Sequence, residues 1–184
     1  MTAVPPIFPA APVRVEGLGL VLRQWTEDDL DAMVAVFDNP EADRFTPIVS
    51  PFDRQAAADR LTRSRADQAA GRRICLAITE DDGVPMGEVL IFRDEARAAG
   101  AEIGYGIGPQ FRGRGLASRS VRLMITFGYD TIGVDRLVLR IDEHNEASHA
   151  VARATGFAPD GEKPVLETVK GREKRLGTWV HRRS

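Results

Sequence analysis

One stretch, residues 101–118, constrains the fold of this 184-residue chain more than any other. Its first half alternates between apolar residues, at Ile103, Tyr105 and Ile107, and polar residues or glycines, as in a strand with one apolar face. Pro109 ends this strand, because proline has no N–H to donate to a β-ladder. Apolar residues then recur at helical spacing. The stretch therefore predicts a strand, a turn and a helix in succession.

The turn between this strand and this helix has the sequence Arg112-Gly113-Arg114-Gly115. A helix that begins in such a turn directs unpaired backbone N–H groups, and the positive end of its dipole, at one spot. That spot suits a phosphate or a pyrophosphate, and the two guanidinium groups add charge-assisted contacts. The alternative is a turn whose glycines only let the chain bend. No Gly-Lys-Ser/Thr follows, and the glycines are too close together for a dinucleotide fingerprint.

The periodicity of the whole chain predicts an α+β fold with helices on both faces of a sheet. We expect one domain over residues 13–184, after a flexible arm over residues 1–12 that is rich in proline. Predicted strands cover residues 13–23, 74–78, 86–92, 101–107, 136–141, 157–163 and 168–180. Predicted helices cover residues 26–39, 56–70, 117–130 and 145–155.

Composition excludes several classes of function. The net charge of −2 gives no electrostatic reason to expect nucleic acid as a partner. The single cysteine excludes an internal disulfide and fits a reducing compartment. No apolar run reaches the ~20 residues that span a bilayer, so we expect a soluble, cytoplasmic protein with no membrane partner. Three scattered histidines and one cysteine have no metal-binding spacing, so we expect no metal.

Three groups of residues resemble the GNAT superfamily of N-acyltransferases. Residues 107–117 are similar to its acyl-CoA signature, whose core is Arg/Gln-x-x-Gly-x-Gly/Ala. Residues 145–148 and 155–157 resemble the second half of the same family. Residues 101–105, together with Asn145-x-x-Ser148, resemble the RimJ/RimL-like branch, which acetylates ribosomal-protein N-termini and other amines. The resemblance implies a GNAT-like fold, whose central, mostly antiparallel sheet is splayed at the cofactor cleft.

The resemblance also implies where acetyl-CoA, the expected co-substrate, binds. It enters between the strand of residues 101–107 and the strand that starts at Arg136, with its pyrophosphate over the backbone of the turn. The backbone N–H of Ile107 holds the thioester carbonyl, where a fixed donor helps because negative charge grows on that oxygen during attack. The cofactor-binding residues implied are Ile107, Arg112, Gly113, Arg114, Gly115, Leu116, Ala117, Ser118, Asn145 and Ser148.

Glu102 and Ser148 are the predicted catalytic residues. Glu102 lies in the register where related acetyltransferases often carry a catalytic glutamate, which acts as a base through water or orients the amine. The alternative for Glu102 is a surface or salt-bridged strand residue. Many family members have a tyrosine where this chain has Ala152, so Ser148 or solvent is left to assist the departing thiol.

The expected function is transfer of acetyl from acetyl-CoA to a primary amine, by direct attack in a ternary complex. The acceptor is a protein N-terminus or a small-molecule amine, held between residues 38–70 and 161–177. The alternatives are a non-catalytic acyl-CoA-binding sensor of the same fold, and a transferase that uses another short acyl-CoA such as succinyl-CoA. Homodimers are frequent in this branch, so the resemblance also implies a homodimer.

Overall fold

The computed structural model describes residues 7–94 and 99–183. The strands in these residues are β1 (Val15–Gly17), β2 (Leu20–Gln24), β3 (Arg73–Thr79), β4 (Gly87–Arg93), β5 (Gly100–Ile107), β6 (Arg136–Asp142), β7 (Ala158–Pro159), β8 (Val165–Val169) and β9 (Arg172–Arg182). The α-helices are α1 (Leu30–Phe37), α2 (Pro40–Phe45), α3 (Arg54–Ala69), α4 (Leu116–Phe127) and α5 (Glu146–Ala154).

The described strands form one nine-stranded sheet in the order β1-β2-β3-β4-β5-β6-β9-β7, with β8 paired to β9. The β5–β6 pair is parallel, and the other pairs are antiparallel. This confirms the predicted α+β class with a mixed, mostly antiparallel sheet.

Helix starts follow the short polar side chains in the sequence. The Asn39 side chain accepts a hydrogen bond from the Ala42 N–H at 3.0 Å, so Pro40 begins α2 instead of only ending α1. The Asp53 side chain accepts from the Ala56 N–H at 2.9 Å at the start of α3. Each side chain satisfies an N–H that has no partner within its helix.

Each face of the sheet carries a core. On one face α4 packs Val121 and Met124, both fully buried, against the sheet together with Val89 and Ile103. On the other face α1 and α3 cover the sheet around the fully buried Ala77. The helical residues of that second core include Met33, Val36, Phe37, Ala57 and Leu61.

The sheet opens between β5 and β6. The two strands are paired over Gly100–Glu102 and Arg136–Val138. Beyond these pairs β5 continues to Ile107 and β6 to Asp142, and the residues past the last pair line a cavity. The splay expected from the family resemblance is therefore present.

The two ends of the described chain differ from the sequence prediction. Residues 7–12 are not loose: the Ile7 N–H donates to the Ile132 carbonyl at 3.0 Å, and Phe8 is buried. Of the arm predicted for residues 1–12, the second half therefore contacts the core through Phe8, and residues 1–6 lie outside the described residues.

The strands predicted at 157–163 and 168–180 are also corrected. Only Ala158 and Pro159 of the first form a strand, and a turn divides the second between β8 and β9. Lys170 and Gly171 form that turn, with φ of +54° and +72°. Two successive residues with positive φ are typical of a tight hairpin, so Thr168 falls on β8.

Candidate active site

Two cavities meet in the cleft between β5 and β6. The smaller, of about 300 Å³, lies against the glycine-rich turn and the start of α4. The larger, of about 1200 Å³, lies between α3, the segment before it, and the hairpin of β8 and β9. Residues that line both are Phe45, Thr46, Tyr105, Gly106, Asn145 and Ser148. The cleft can therefore hold two molecules whose reacting ends meet at these shared residues.

Backbone N–H groups of β5 face the cleft at every second residue. At the ends of the β4–β5 ladder the Asp94 N–H donates to the Gly100 carbonyl at 3.1 Å, and the Gly108 N–H to the Met86 carbonyl at 2.9 Å. Because bonding alternates along an antiparallel strand, the even-numbered residues of β5 bond to β4, and the odd-numbered ones point the other way. The last parallel pair, Glu102 with Val138, engages the Ile103 N–H, so the odd-numbered residues left beyond it are Tyr105 and Ile107. Their N–H groups can donate to a bound molecule, and Ile107 is the residue predicted to do so.

At Gly113 and Gly115 the glycine-rich turn presents only backbone to the smaller cavity. Gly113 and Gly115 have φ of +76° and +70°, a left-handed conformation that disfavours other residues. A Cβ atom placed on either glycine would meet nothing within 4 Å. Helix α4 begins at Leu116 without a side-chain cap or an acidic residue in its first turn. Leu116, Ala117 and Ser118 thus bring unpaired N–H groups to this cavity, as predicted for an anion site.

The two arginines of the turn already have carboxylate partners. Arg112 forms an ion pair with Glu41 at 2.8 Å and lines the smaller cavity. Arg114 forms an ion pair with Glu80 at 2.7 Å, outside the lining of either cavity. The backbone of the turn, more than these guanidinium groups, therefore faces the predicted pyrophosphate.

Helix α5 carries the predicted polar pair to the junction of the cavities. The Asn145 side chain caps α5 by accepting from the Ser148 N–H at 3.1 Å. Both residues line both cavities. The structure thus brings together Ile107, Gly113, Gly115, the first turn of α4, Asn145 and Ser148 around the smaller cavity.

Tyr105 is a site residue that sequence reasoning placed only on the apolar face of the strand. Its side chain lines both cavities, and its hydroxyl oxygen is buried without a hydrogen-bond partner among the described residues. Burial raises the pKa of Tyr105 to about 12, and the neighbouring Ser148 side chain opposes this rise. The sequence shows a tyrosine two residues before Ile107, which places it on the same side of the strand. Its proximity to α5 depends on a contact between distant residues, which the sequence alone does not reveal.

Glu102 lines the larger cavity at the bottom of the cleft. Its carboxylate forms an ion pair with Arg140 of β6, and Arg140 also donates to Asp94 at 2.8 Å. Burial raises the pKa of Glu102 to about 7, against the opposing effect of Arg140. The sequence left two interpretations of Glu102, a catalytic glutamate or a salt-bridged strand residue. In the structure Glu102 is salt-bridged and also lines the cavity, so the ion pair does not remove it from the site.

Glu88 is a second carboxylate on the same wall. It lies in β4 directly opposite Gly106, is 2% exposed, and forms an ion pair with Arg60 of α3. The burial results from α3, which covers this part of the sheet and is distant in sequence. Asp142 also lines the larger cavity.

The charges that line the larger cavity balance. The basic residues are Arg60, Arg63, Arg73, Arg93, Arg140 and Lys174, and the acidic ones are Asp53, Asp59, Glu88, Glu102, Asp142 and Glu167. The wall therefore has no excess of either sign.

The histidines lie away from this centre. His144 is exposed beside Glu143, and His149 stacks on Trp179 with ring centroids 5.5 Å apart. Among residues 7–94 and 99–183, no three His, Cys, Asp or Glu side chains group closely enough to hold a metal ion. Within the same residues no helix is both long and apolar enough to cross a membrane.

A splayed sheet whose cleft joins an uncapped helix start to a second, larger cavity is the arrangement expected of a transferase with a phosphate-containing donor. Residues 19–158 match a family model described as an acetyltransferase (GNAT) domain. The chain is 26% identical over 157 residues to the uncharacterized N-acetyltransferase p20 of Bacillus licheniformis, covering 83% of this chain and 86% of that protein. It is 31% identical over 85 residues to the spermidine N(1)-acetyltransferase of Escherichia coli K12, covering 46% of each.

Solved structures agree with this family. A putative ribosomal-protein-serine acetyltransferase from Vibrio cholerae superposes with a TM-score of 0.80 at 20% identity, covering 93% of this chain and 98% of that one. RimJ from Mycobacterium smegmatis, solved with CoA-disulfide, has a TM-score of 0.77 at 18% identity, covering 97% and 90%. The chain belongs to the GNAT acetyltransferase family, in its RimJ/RimL-like group, and is an acetyl-CoA-dependent N-acetyltransferase.

Proposed function

We propose that the protein transfers acetyl from acetyl-CoA to a primary amine by direct attack, with donor and acceptor bound together. The observation that carries this proposal is the pair of cavities that meet at Tyr105, Gly106 and Ser148. Two molecules held in one cleft gain from proximity, because the entropy of bringing them together is lost on binding and not in the reaction step.

The donor occupies the smaller cavity in this proposal. The pyrophosphate lies over the N–H groups of residues 113–118, where the uncapped start of α4 favours negative charge. The pantetheine arm follows β5, whose odd-numbered N–H groups are free to pair with its amides. The N–H of Ile107 then donates to the thioester carbonyl, and this bond strengthens as the oxygen gains charge.

The acceptor enters through the larger cavity and brings its amine to Gly106. Glu102, at the bottom of that cavity, receives the proton of the amine through water, or orients the ammonium before attack. A free α-amine has an ordinary pKa near ~7.7–8.0, so a base with a pKa near neutrality is sufficient. Ser148 lies where the sulfur departs, so its hydroxyl can donate to the leaving thiolate.

The balanced charge of the larger cavity favours a singly charged acceptor. A polyamine carries several positive charges and gains most from a wall with an acidic excess, which this cavity lacks. We therefore favour the α-amine of a polypeptide or a small monoamine over a polyamine, although a spermidine acetyltransferase is among the relatives. RimL, a structural neighbour, is described as a ribosomal L7/L12 alpha-N-protein acetyltransferase, which is consistent with this preference.

Two glycine substitutions test the donor site with a matched control. Gly115→Ala adds a methyl group where the pyrophosphate is proposed to bind. Gly133→Ala adds a methyl group at a residue that lines neither cavity. Gly115 and Gly133 have φ of +70° and +80°, and an added Cβ meets nothing within 4 Å at either. Each should therefore lose about 1–2 kcal/mol of stability from backbone strain. Calorimetry should show CoA affinity at least tenfold weaker in Gly115→Ala and unchanged in Gly133→Ala; equal affinities would reject this site.

The acceptor is tested by CoA release with a panel of amines. The panel contains a short peptide with a free N-terminus, the same peptide acetylated, a small monoamine and spermidine. The free peptide or the monoamine should release CoA faster than spermidine at equal concentration. Fastest release with spermidine would contradict the acceptor preference while leaving the donor site intact.

A further inference from the structure

The hydroxyl of Tyr105 is a buried polar group with no assigned task. Its oxygen has no hydrogen-bond partner among the described residues, although it lies at the junction of the two cavities. Buried hydroxyls are nearly always hydrogen-bonded, since leaving one unpaired is unfavourable. The other tyrosine shows the usual case: the hydroxyl of Tyr129 donates to the His181 carbonyl at 2.9 Å.

Ser148 is the polar side chain beside this hydroxyl. Hydrogen bonding with the Ser148 side chain opposes the rise in the pKa of Tyr105, although the Tyr105 oxygen has no partner at ordinary hydrogen-bond geometry among the described residues. The backbone N–H of Ser148 is already bonded to Asn145. The Ser148 Oγ can accept one hydrogen bond and donate another, because a hydroxyl carries one proton and two lone pairs.

We propose that Tyr105 is a positioning residue: its hydroxyl donates to Ser148 Oγ and so turns the Ser148 proton toward the sulfur of CoA. This rests on the proposed function. Two hydroxyls in series polarise each other, so the second donates more strongly than it would alone.

The chemical step is balanced without further reactants. The amine nitrogen attacks the acetyl carbon and forms the C–N bond. The C–S bond breaks, and the electron pair of that bond goes to sulfur, to which Ser148 donates a hydrogen bond. The ammonium proton leaves to Glu102 or water, and the thiolate takes a proton from solvent. Both hydroxyls keep their protons, because a thiolate, whose conjugate thiol has an ordinary pKa of about 8.5, is too weak a base to deprotonate Tyr105, whose pKa is about 12.

A double-mutant cycle separates this role from a structural one. We expect Tyr105→Phe to lower kcat about tenfold in the wild-type background and less than twofold in a Ser148→Ala background, because the tyrosine acts through Ser148. The affinity for CoA should change less than twofold. The matched control Tyr129→Phe, at a hydroxyl outside both cavities, should retain wild-type kcat.

The ionisation of bound CoA provides a second readout. The thiolate of CoA absorbs ultraviolet light more strongly than the thiol. The pKa of the bound CoA thiol can therefore be measured for each variant by following this absorbance as the pH is raised. Tyr105→Phe should raise that pKa by about one pH unit, which is a tenfold change in equilibrium constant. Equal losses of kcat in the two backgrounds, or an unchanged thiol pKa, would overturn the proposal. Failure of the wild-type protein to bind CoA would instead contradict the proposed function.

Discussion

Replacing Glu102 with glutamine tests whether this carboxylate serves the reaction. The substitution keeps the size of the side chain, and the glutamine oxygen can still accept from Arg140. Arg140 also keeps its bond of 2.8 Å to Asp94, so no guanidinium is left without a partner. We therefore expect the variant to fold, and its activity to report on the lost charge.

The expected loss follows from the position of Glu102 along β5. It lies five residues before Ile107 and three before Tyr105, and at about 3.3 Å per residue these are separations of ~16 Å and ~10 Å. Both exceed the reach of a glutamate side chain, so a proton reaches Glu102 through water. General base catalysis contributes typically 10²–10⁴-fold. We expect the lower end, a fall in kcat/KM of about 10²-fold with unchanged CoA affinity.

The pH dependence gives the assay its specificity. Burial holds the pKa of Glu102 at about 7, so kcat/KM of the wild type should rise about tenfold per pH unit below this value and level off above it. The acceptor should be an amine of low pKa, so that its own ionisation does not overlap. Glu102→Gln should lack the rising limb. A variant that keeps both the limb and the rate would refute the assignment.

The same pKa predicts a change in stability with pH. The folded-state pKa of about 7 exceeds the ordinary value of 4.5, so the folded state binds more protons between these values. Stability from this group is fully present below pH 4.5 and is lost as pH rises through 7, by about 3 kcal/mol in all. Urea unfolding at pH 5 and pH 8 should show this loss in the wild type relative to Glu102→Gln.

Glu88→Gln is the matched control for this experiment. Glu88 is also a buried, arginine-paired glutamate on the wall of the larger cavity. It should keep the limb near pH 7 whatever its effect on the rate. Loss of the limb in Glu88→Gln alone would transfer the role of base to Glu88, which lies opposite Gly106.

Two further predictions concern access and stability. The Lys170 ammonium donates to the Asp43 side chain at 2.8 Å and to the Ile48 carbonyl. These bonds connect the β8–β9 turn to α2 and to the segment before α3, beside the larger cavity. Lys170→Met should lower KM for a long peptide acceptor severalfold and leave KM for a small monoamine unchanged; an equal effect on both would exclude a role in access. Leu137 is fully buried in the main core, so Leu137→Ala should cost about 2–5 kcal/mol by urea unfolding. A loss below about 1 kcal/mol would show that the site collapses around the smaller residue.

The sequence predicts the centre of the fold because its signals there are local. Alternation predicts a strand at 101–107, and the structure has Gly100–Ile107; helical spacing predicts 117–130, and α4 spans Leu116–Phe127. Glycine composition predicts the left-handed turn between them, since glycine tolerates positive φ best. These features depend on neighbours in sequence, which is why the strand, turn and helix around the proposed donor site could be predicted.

The ion pairs around the site depend on contacts between residues that are distant in sequence. Arg140 and Glu102 are 38 residues apart, and Arg114 and Glu80 are 34 apart. No local pattern pairs such residues, so the sequence predicts an arginine toward the phosphate where the fold gives it a carboxylate. The burial of Glu88 also depends on a distant element, since its partner Arg60 lies on α3, 28 residues earlier.

The open edge of β5 explains why one strand serves both structure and catalysis. An unpaired strand edge is normally a hazard, because its free N–H and C=O groups invite pairing with another chain. Here β6 closes the edge only as far as Glu102, and the remaining odd-numbered groups lie inside a cleft too confined for another sheet. A narrow molecule with its own amide groups, such as the pantetheine arm, can pair with them as a strand would. The parallel β5–β6 pair thus ends early and leaves a ladder that, in the proposed function, the donor completes.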